Sequence, residues 1–366
     1  MNFVLSTTMR FIVAPLAVLV GTTLAHAEPY LAVQEGFKCV QCHVNPSGGG
    51  LRNVFGNAYA QAQLAATRID TGDTVWTGMV GQMLSLGGNF RAAASVGNIP
   101  HQQQTRAFEV EEGRVYLNVA VIPNRLAVYL DELVAPGTAS NREAYVRYQS
   151  SGNSWSVKVG QMYLPFGFRL QDNTAFVRQL SGISMTTPDT GIEFSWEPGN
   201  WSTQFGVSNG SAGGPETDTG KEYSLQGSYV KRNWRLGLAG NFNDSATGDR
   251  SVMGVFAGLK TGPVSWLGEV DYVDDKGLSG GDRKLVAGLL EGNWRIRQGH
   301  NFKLTAEEFD PDRDVDNDAQ ARYSAVYEYT PIQYLQLRLG VRYYSGIPQN
   351  DLQNRRTGFL ELHGFY

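Results

Sequence analysis

Residues 334–344 read Tyr-Leu-Gln-Leu-Arg-Leu-Gly-Val-Arg-Tyr-Tyr. Successive side chains of an extended chain alternate between faces. Leu335, Leu337, Leu339, Val341 and Tyr343 therefore project one way and Gln336, Arg338, Gly340, Arg342 and Tyr344 the other. The run has the roughly 9–11 residues of a tilted transmembrane strand. The same alternation recurs upstream. Val286, Gly288, Leu290, Gly292, Trp294 and Ile296 oppose Glu291, Asn293, Arg295 and Arg297, and Val264, Trp266, Gly268, Val270 and Tyr272 oppose Ser265, Leu267, Glu269 and Asp271. A soluble sandwich also alternates, so the connections have to decide.

Sixteen such segments follow one another, near 74–86, 106–121, 125–134, 142–149, 154–162, 189–197, 201–208, 221–230, 234–243, 250–260, 264–274, 283–297, 302–309, 320–329, 334–344 and 356–366. Their connections are expected to alternate strictly between tight turns, such as Pro123-Asn124 and Lys231 to Asn233, and long loops, such as 87–105, 135–141, 163–188 and 345–355. Short periplasmic turns facing longer outer loops mark bacterial outer-membrane barrels. The predicted fold is all-β, a sixteen-stranded antiparallel transmembrane β-barrel over 74–366. Leu360, Leu362, Gly364 and Tyr366 should face lipid, and the terminal aromatic resembles the assembly signal of such barrels. Composition agrees: 18% charged residues is low against the roughly 25% of soluble domains, and Gly is abundant at 43 residues. A formal net charge of −4 offers no basic footprint for nucleic acid.

Residues 1–27 read as an export signal, with Arg10, an apolar run from Phe11 to Leu24, and Ala25-His26-Ala27 before the cut. Between it and the barrel lies a short segment, 28–73, that contains Cys39-Val40-Gln41-Cys42-His43 and with it both cysteines of the chain. C-x-x-C-H marks attachment of a c-type haem. Cys39 and Cys42 would each form one thioether, and His43 would be the proximal iron ligand. A thioredoxin-like dithiol requires a βαβ setting and zinc requires four ligands; neither is visible. Leu51, Val54, Phe55, Ala58, Tyr59 and Ala62 recur at helical spacing, predicting an amphipathic helix over 51–67 whose apolar stripe joins a core shared with haem and barrel wall.

Two resemblances add to this reading. Val157 to Gly167, with Gly-Gln-Met-Tyr-Leu-Pro-Phe-Gly, and Asp189 to Asn209 resemble phosphate-selective-type porins, in which the third outer loop turns into the lumen. Arg169 and Arg178 of loop 163–188 are then candidate constriction cations, or else pair with Asp172 or line the wall. Leu31-Ala32, Gly36, Cys39 to His43, Leu51, Asn53, Phe55-Gly56 and Tyr59 resemble the fused monohaem cytochrome c–porin family of outer-membrane iron oxidases. That resemblance implies one covalent haem c, electron transfer across the bacterial outer membrane, extracellular ferrous iron or another metal or mineral as donor, and a soluble periplasmic cytochrome as partner. The chain departs from that family at Asn45 to Gly50, where a glycine run stands in the haem loop.

A second axial ligand is not fixed by the sequence. Met79 and Met83 fall on the lumen-facing set of the expected first strand, and His363 faces inward near the periplasmic end of the last; an open site is the remaining alternative. Met253 should face lipid, His101 should lie in an outer loop and His300 in a periplasmic turn. Asp310, Asp312, Asp314, Asp316 and Asp318 alternate through an outer loop, which lacks the Gly and terminal Glu of an EF-hand and reads as a solvated surface. No acid–base or nucleophilic constellation is apparent, so no catalytic residue is assigned. Three functions compete: an electron conduit, a haem-plugged or redox-gated porin or anion channel, and a barrel scaffold for a multihaem partner.

Overall fold

A computed structural model describes residues 28–70, 72, 75–170, 172–278 and 281–366; the expected export signal lies outside the described residues. Sixteen strands form the wall. They are β1 (Leu84–Asn98), β2 (Thr105–Ile122), β3 (Leu126–Ala135), β4 (Ser140–Gln149), β5 (Trp155–Met162), β6 (Asp189–Trp196), β7 (Trp201–Ser208) and β8 (Glu222–Val230), then β9 (Trp234–Ser245), β10 (Gly248–Thr261), β11 (Val264–Lys276), β12 (Arg283–Arg297), β13 (His300–Asp310), β14 (Gln320–Ile332), β15 (Leu335–Ser345) and β16 (Arg356–Phe365). Each pairs antiparallel with its sequence neighbour, and β16 closes onto β1 with Gly364 opposite Phe90 and Arg356 opposite Asn98. Closure leaves none of these sixteen strands at an edge.

The alternation read in the sequence sets the two faces. On β15, Gln336, Arg338, Arg342 and Tyr344 are buried in the lumen, while Leu339 and Val341 are about 60% exposed on the outside. Register turns the inner face into a ladder of opposite charges. Arg338 lies opposite Glu361 on one side and Glu328 on the other, with contacts of 2.8 and 3.2 Å; Glu361 reaches on to Arg91 at 2.6 Å and Glu328 to Lys303 at 3.3 Å. Buried charges persist where such partners exist. Outside, six of the seven tryptophans, Trp155, Trp196, Trp201, Trp234, Trp266 and Trp294, stand exposed beside the inner turns, forming one of the aromatic girdles of a membrane barrel.

Three expectations are corrected. The first strand runs from Leu84 to Asn98, not over 74–86, so most of the expected loop 87–105 is wall. Before it, Met79–Val80 forms only a two-residue strand against Ser85 and Leu84, because Gly78 and Gly81 take left-handed φ values of +81° and +67° and break the extended run. The outer connections are also not uniformly long: 136–139 and 246–247 are as tight as the inner turns.

The lumen is occupied from both ends. From the inner end comes the N-terminal segment: α1 (Pro29–Glu35), a 3-10 turn (Cys39–Gln41), and α2 (Val54–Tyr59) running into a π turn (Ala60–Leu64). Pro29 suits the first turn of α1, and Gly36, at φ +70°, ends it where a side chain would strike the Arg232 backbone. Asn53 caps α2 by accepting from the Gly56 N–H at 2.9 Å. The expected helix over 51–67 is thus shorter. Its stripe is only partly core: Leu51 is buried, whereas Val54 and Phe55 are each 48% exposed, Phe55 packing edge-on against Phe37. From the outer end comes loop 163–188, containing α3 (Phe176–Ser181). Its Phe166, Phe168, Phe176 and Leu180 pack with Tyr30 and Val33 of α1 and with wall residues such as Phe256 and Leu267 in one apolar cluster.

Candidate functional site

Residues 39–43 form a closed turn: the N–H groups of Cys42 and His43 both donate to the Cys39 carbonyl, at 3.1 and 3.0 Å. The chain then doubles back. Val44 N donates to Leu51 O at 3.0 Å, Asn53 N to Cys42 O at 2.9 Å, and His43 bridges Arg52. Gly48, Gly49 and Gly50, all at positive φ, make the loop between. A side chain at Gly48 would come within 3.3 Å of Cys39 Sγ, and one at Gly56 would overlap the Cys42 carbonyl. Gly48 therefore keeps the space beside the Cys39 thiol clear.

That space is a cavity in the inner half of the barrel, enclosing about 1310 Å³ of empty volume, part of it open to solvent. Cys39, Cys42 and His43 line it together with Leu31, Phe37 and Tyr59 of the N-terminal segment, Phe168 of loop 163–188, and Phe256 and His363 of the wall. Burial, with the Arg52 charge second, pushes the His43 imidazole down to about 4, so it is a neutral base at neutral pH. Its Nδ1 is buried without a hydrogen-bond partner among the described residues. Burial and the neighbouring Cys39 raise the Cys42 thiol to about 11, the opposite of what an exchange-active dithiol needs.

Three arginines also line the cavity: Arg52, Arg169 and Arg235. Arg52 stacks over Phe365 at 4.8 Å, Arg169 donates to Ser47 Oγ at 2.9 Å and to the Leu164 carbonyl at 3.0 Å, and Arg235 donates to the Phe37 carbonyl. Among the described residues none of the three has a carboxylate within ion-pair distance. Two thiols, a neutral imidazole, aromatic walls and unneutralised guanidinium groups fit a covalently attached haem with its two carboxylates. When bound, that group supplies a one-electron couple tuned by its axial ligands.

Of the residues singled out in the sequence, Cys39, Cys42, His43, Arg169 and His363 converge here. Met79 and Met83 do not: Met79 Sδ accepts from Ser85 Oγ at 3.0 Å, and Met83 is 48% exposed. Arg178 is no constriction cation; it is buried in ion pairs with Glu269 and, at 3.7 Å, Asp271. Asp172 pairs with Arg322 and Arg342 of the wall at 3.0 and 3.1 Å, not with Arg169 or Arg178. Met253 is 59% exposed on the outer face, and His101 pairs with Asp351 in the outer loops. The acidic loop folds on itself, Asp310 and Asp312 accepting from backbone N–H groups two residues on; among the described residues no cluster of three His, Cys, Asp or Glu could hold a metal ion. Arg235 was missed, although Trp234 and Leu236 on either side face outward and the alternation turns it inward.

A closed sixteen-stranded antiparallel barrel with an inward third outer loop defines the porin class. Residues 131–338 match the family model of phosphate-selective porins O and P, and the chain belongs to that family. No curated protein sequence matches the chain. Solved structures of similar fold include a loop-deletion mutant of OmpT, an outer membrane protein of Vibrio cholerae (TM-score 0.61, 10% identity, covering 77% of this chain and 99% of that one). An anion-selective porin from Comamonas acidovorans is similar at TM-score 0.61 and 13% identity, covering 77% and 99%. OprB of Pseudomonas putida is similar at 0.60 and 7%, covering 78% and 94%.

Proposed function

We propose that this porin-family barrel is an electron carrier of the bacterial outer membrane, holding one haem c in the inner half of its lumen. The observation that carries the reading is the cavity lined at once by Cys39, Cys42 and His43. Cys39 and Cys42 anchor the cofactor, His43 ligates its iron, and Arg52, Arg169 and Arg235 offer positive charge to its carboxylates. Phe168, Phe37 and Tyr59 cover its apolar faces. The inner mouth suits docking of a soluble periplasmic cytochrome, and extracellular ferrous iron is the proposed donor.

A second reading rests on the family itself. Membership among phosphate-selective porins, and a fold shared with a porin described as anion-selective, favour a diffusion channel in which the N-terminal segment is a plug or redox gate. One experiment separates the two. Full-length protein matured with haem is purified in detergent, stained for covalent haem, titrated with ferrous iron, and inserted in planar bilayers. The carrier reading expects covalent haem that is lost in Cys39→Ser and Cys42→Ser, a reduced-haem spectrum on adding ferrous iron, and little ion current. Steady current with no spectral response to ferrous iron would leave the gated porin. Covalent haem in the double serine variant would overturn the attachment itself.

A further inference from the structure

Among the described residues lining the cavity, His363 is the one imidazole besides His43, and no methionine joins them. The side chain is 4% exposed on the inner face of β16. Its tautomer follows from its neighbours. Gln336 Nε2 donates to Glu28 Oε1 at 2.7 Å, so Gln336 Oε1 is the atom turned toward His363 Nδ1, 3.3 Å away. An oxygen there requires Nδ1 to carry the proton. On the other side, the Asn89 amide lies between the Tyr116 hydroxyl at 2.7 Å and His363 Nε2 at 3.4 Å.

In a neutral imidazole with its proton on Nδ1, Nε2 is a lone pair. Asn89 lines the cavity and Gln336 does not, so this lone pair is on the cavity side. A Lewis acid in the cavity would accept it. Ligating histidines are oriented in just this manner, the distal N–H held by an acceptor that is itself fixed; Glu28 to Gln336 to His363 is such a chain.

We infer that His363 Nε2 is the second axial ligand of the haem iron, opposite His43, with Gln336 as its positioning residue. This rests on the haem reading above and deepens it. The test uses full-length haem-loaded protein in detergent, read by visible and electron paramagnetic resonance spectroscopy. The native ferric protein should be low-spin and six-coordinate. His363→Ala should convert it to a high-spin form, and added imidazole should restore the low-spin spectrum. His363→Met should stay six-coordinate with a raised reduction potential, which guards against an alanine variant that fails to fold. Gln336→Leu should retain the low-spin spectrum but raise the potential, because the imidazole loses the acceptor that makes it more basic. A low-spin spectrum unchanged in haem-bearing His363→Ala overturns the ligand assignment and leaves the haem reading standing. An unchanged potential in Gln336→Leu overturns the positioning role. Native protein without covalent haem overturns both readings.

Discussion

Gly56 shows how one missing side chain can hold a site together. It brings α2 against the Cys42 carbonyl, where a β-carbon would overlap that oxygen. Gly56→Ala is expected to cost about 1–3 kcal/mol of docking stability, the usual effect of overpacking. Limited proteolysis should show faster cleavage of the N-terminal segment, with the barrel intact. At this scale the sequence was most legible where spacing encodes chemistry. Cys39, Cys42 and His43 stood out by their adjacency and line one cavity, and His363 joins them there because strand alternation turns it inward. Met79 and Met83 were misplaced because their placement hung on a strand that two left-handed glycines prevent.

Elements were legible where side chains are large. Strands such as Leu335–Ser345 and Arg283–Arg297 carry bulky outward residues opposite charged inward ones. Leu84–Asn98 hides its alternation, because Ala92 and Ala94 stand where other strands place Leu or Trp. Gly87 and Gly88 in the same strand look like a loop signal. They are wall positions kept bare because Leu51 of the N-terminal segment and Tyr366 press against them. Loop 163–188 is fastened by a different device. Glu307 accepts from the Phe176 N–H at 2.8 Å at the start of α3 and pairs with Arg322, which also holds Asp172 and Thr174 of the loop. Glu307→Ala strips α3 of an acceptor and leaves a buried guanidinium short of charge. Loss of one partner of a buried pair costs about 3–5 kcal/mol, so urea unfolding in detergent should shift to lower concentration. Glu307→Gln should lose less, because its amide oxygen can still accept.

For the molecule as a whole, strand number and closure were legible because parity and lipid-facing alternation are global constraints. That loop 163–188 and the N-terminal segment turn inward was expected, but not that they meet, since contacts such as Arg169 with Ser47 have no local signature. Orientation follows from the turns that clasp that segment: Lys38 reaches Glu197 at 3.1 Å, and Ala66 and Ile69 bond to Thr330 and Gln333. The expected export signal would leave the chain's start in the periplasm and put these turns inside. A cysteine at Thr217 should therefore react with an impermeant reagent on intact cells, while one at Asn233 should react only after the outer membrane is opened. The reverse pattern would invert the barrel.

The tryptophan rim makes the protein's own fluorescence a one-sided gauge. Six indoles emit from a single leaflet, beside the half of the lumen that contains the cavity. Brominated lipids confined to that leaflet should quench nearly all the exposed-tryptophan emission, and the same lipids in the opposite leaflet almost none. A porphyrin seated within the ring would dim all six together by energy transfer. Native emission should therefore be far weaker than that of the double serine variant lacking it, a comparison that registers cofactor occupancy without any electron donor being supplied.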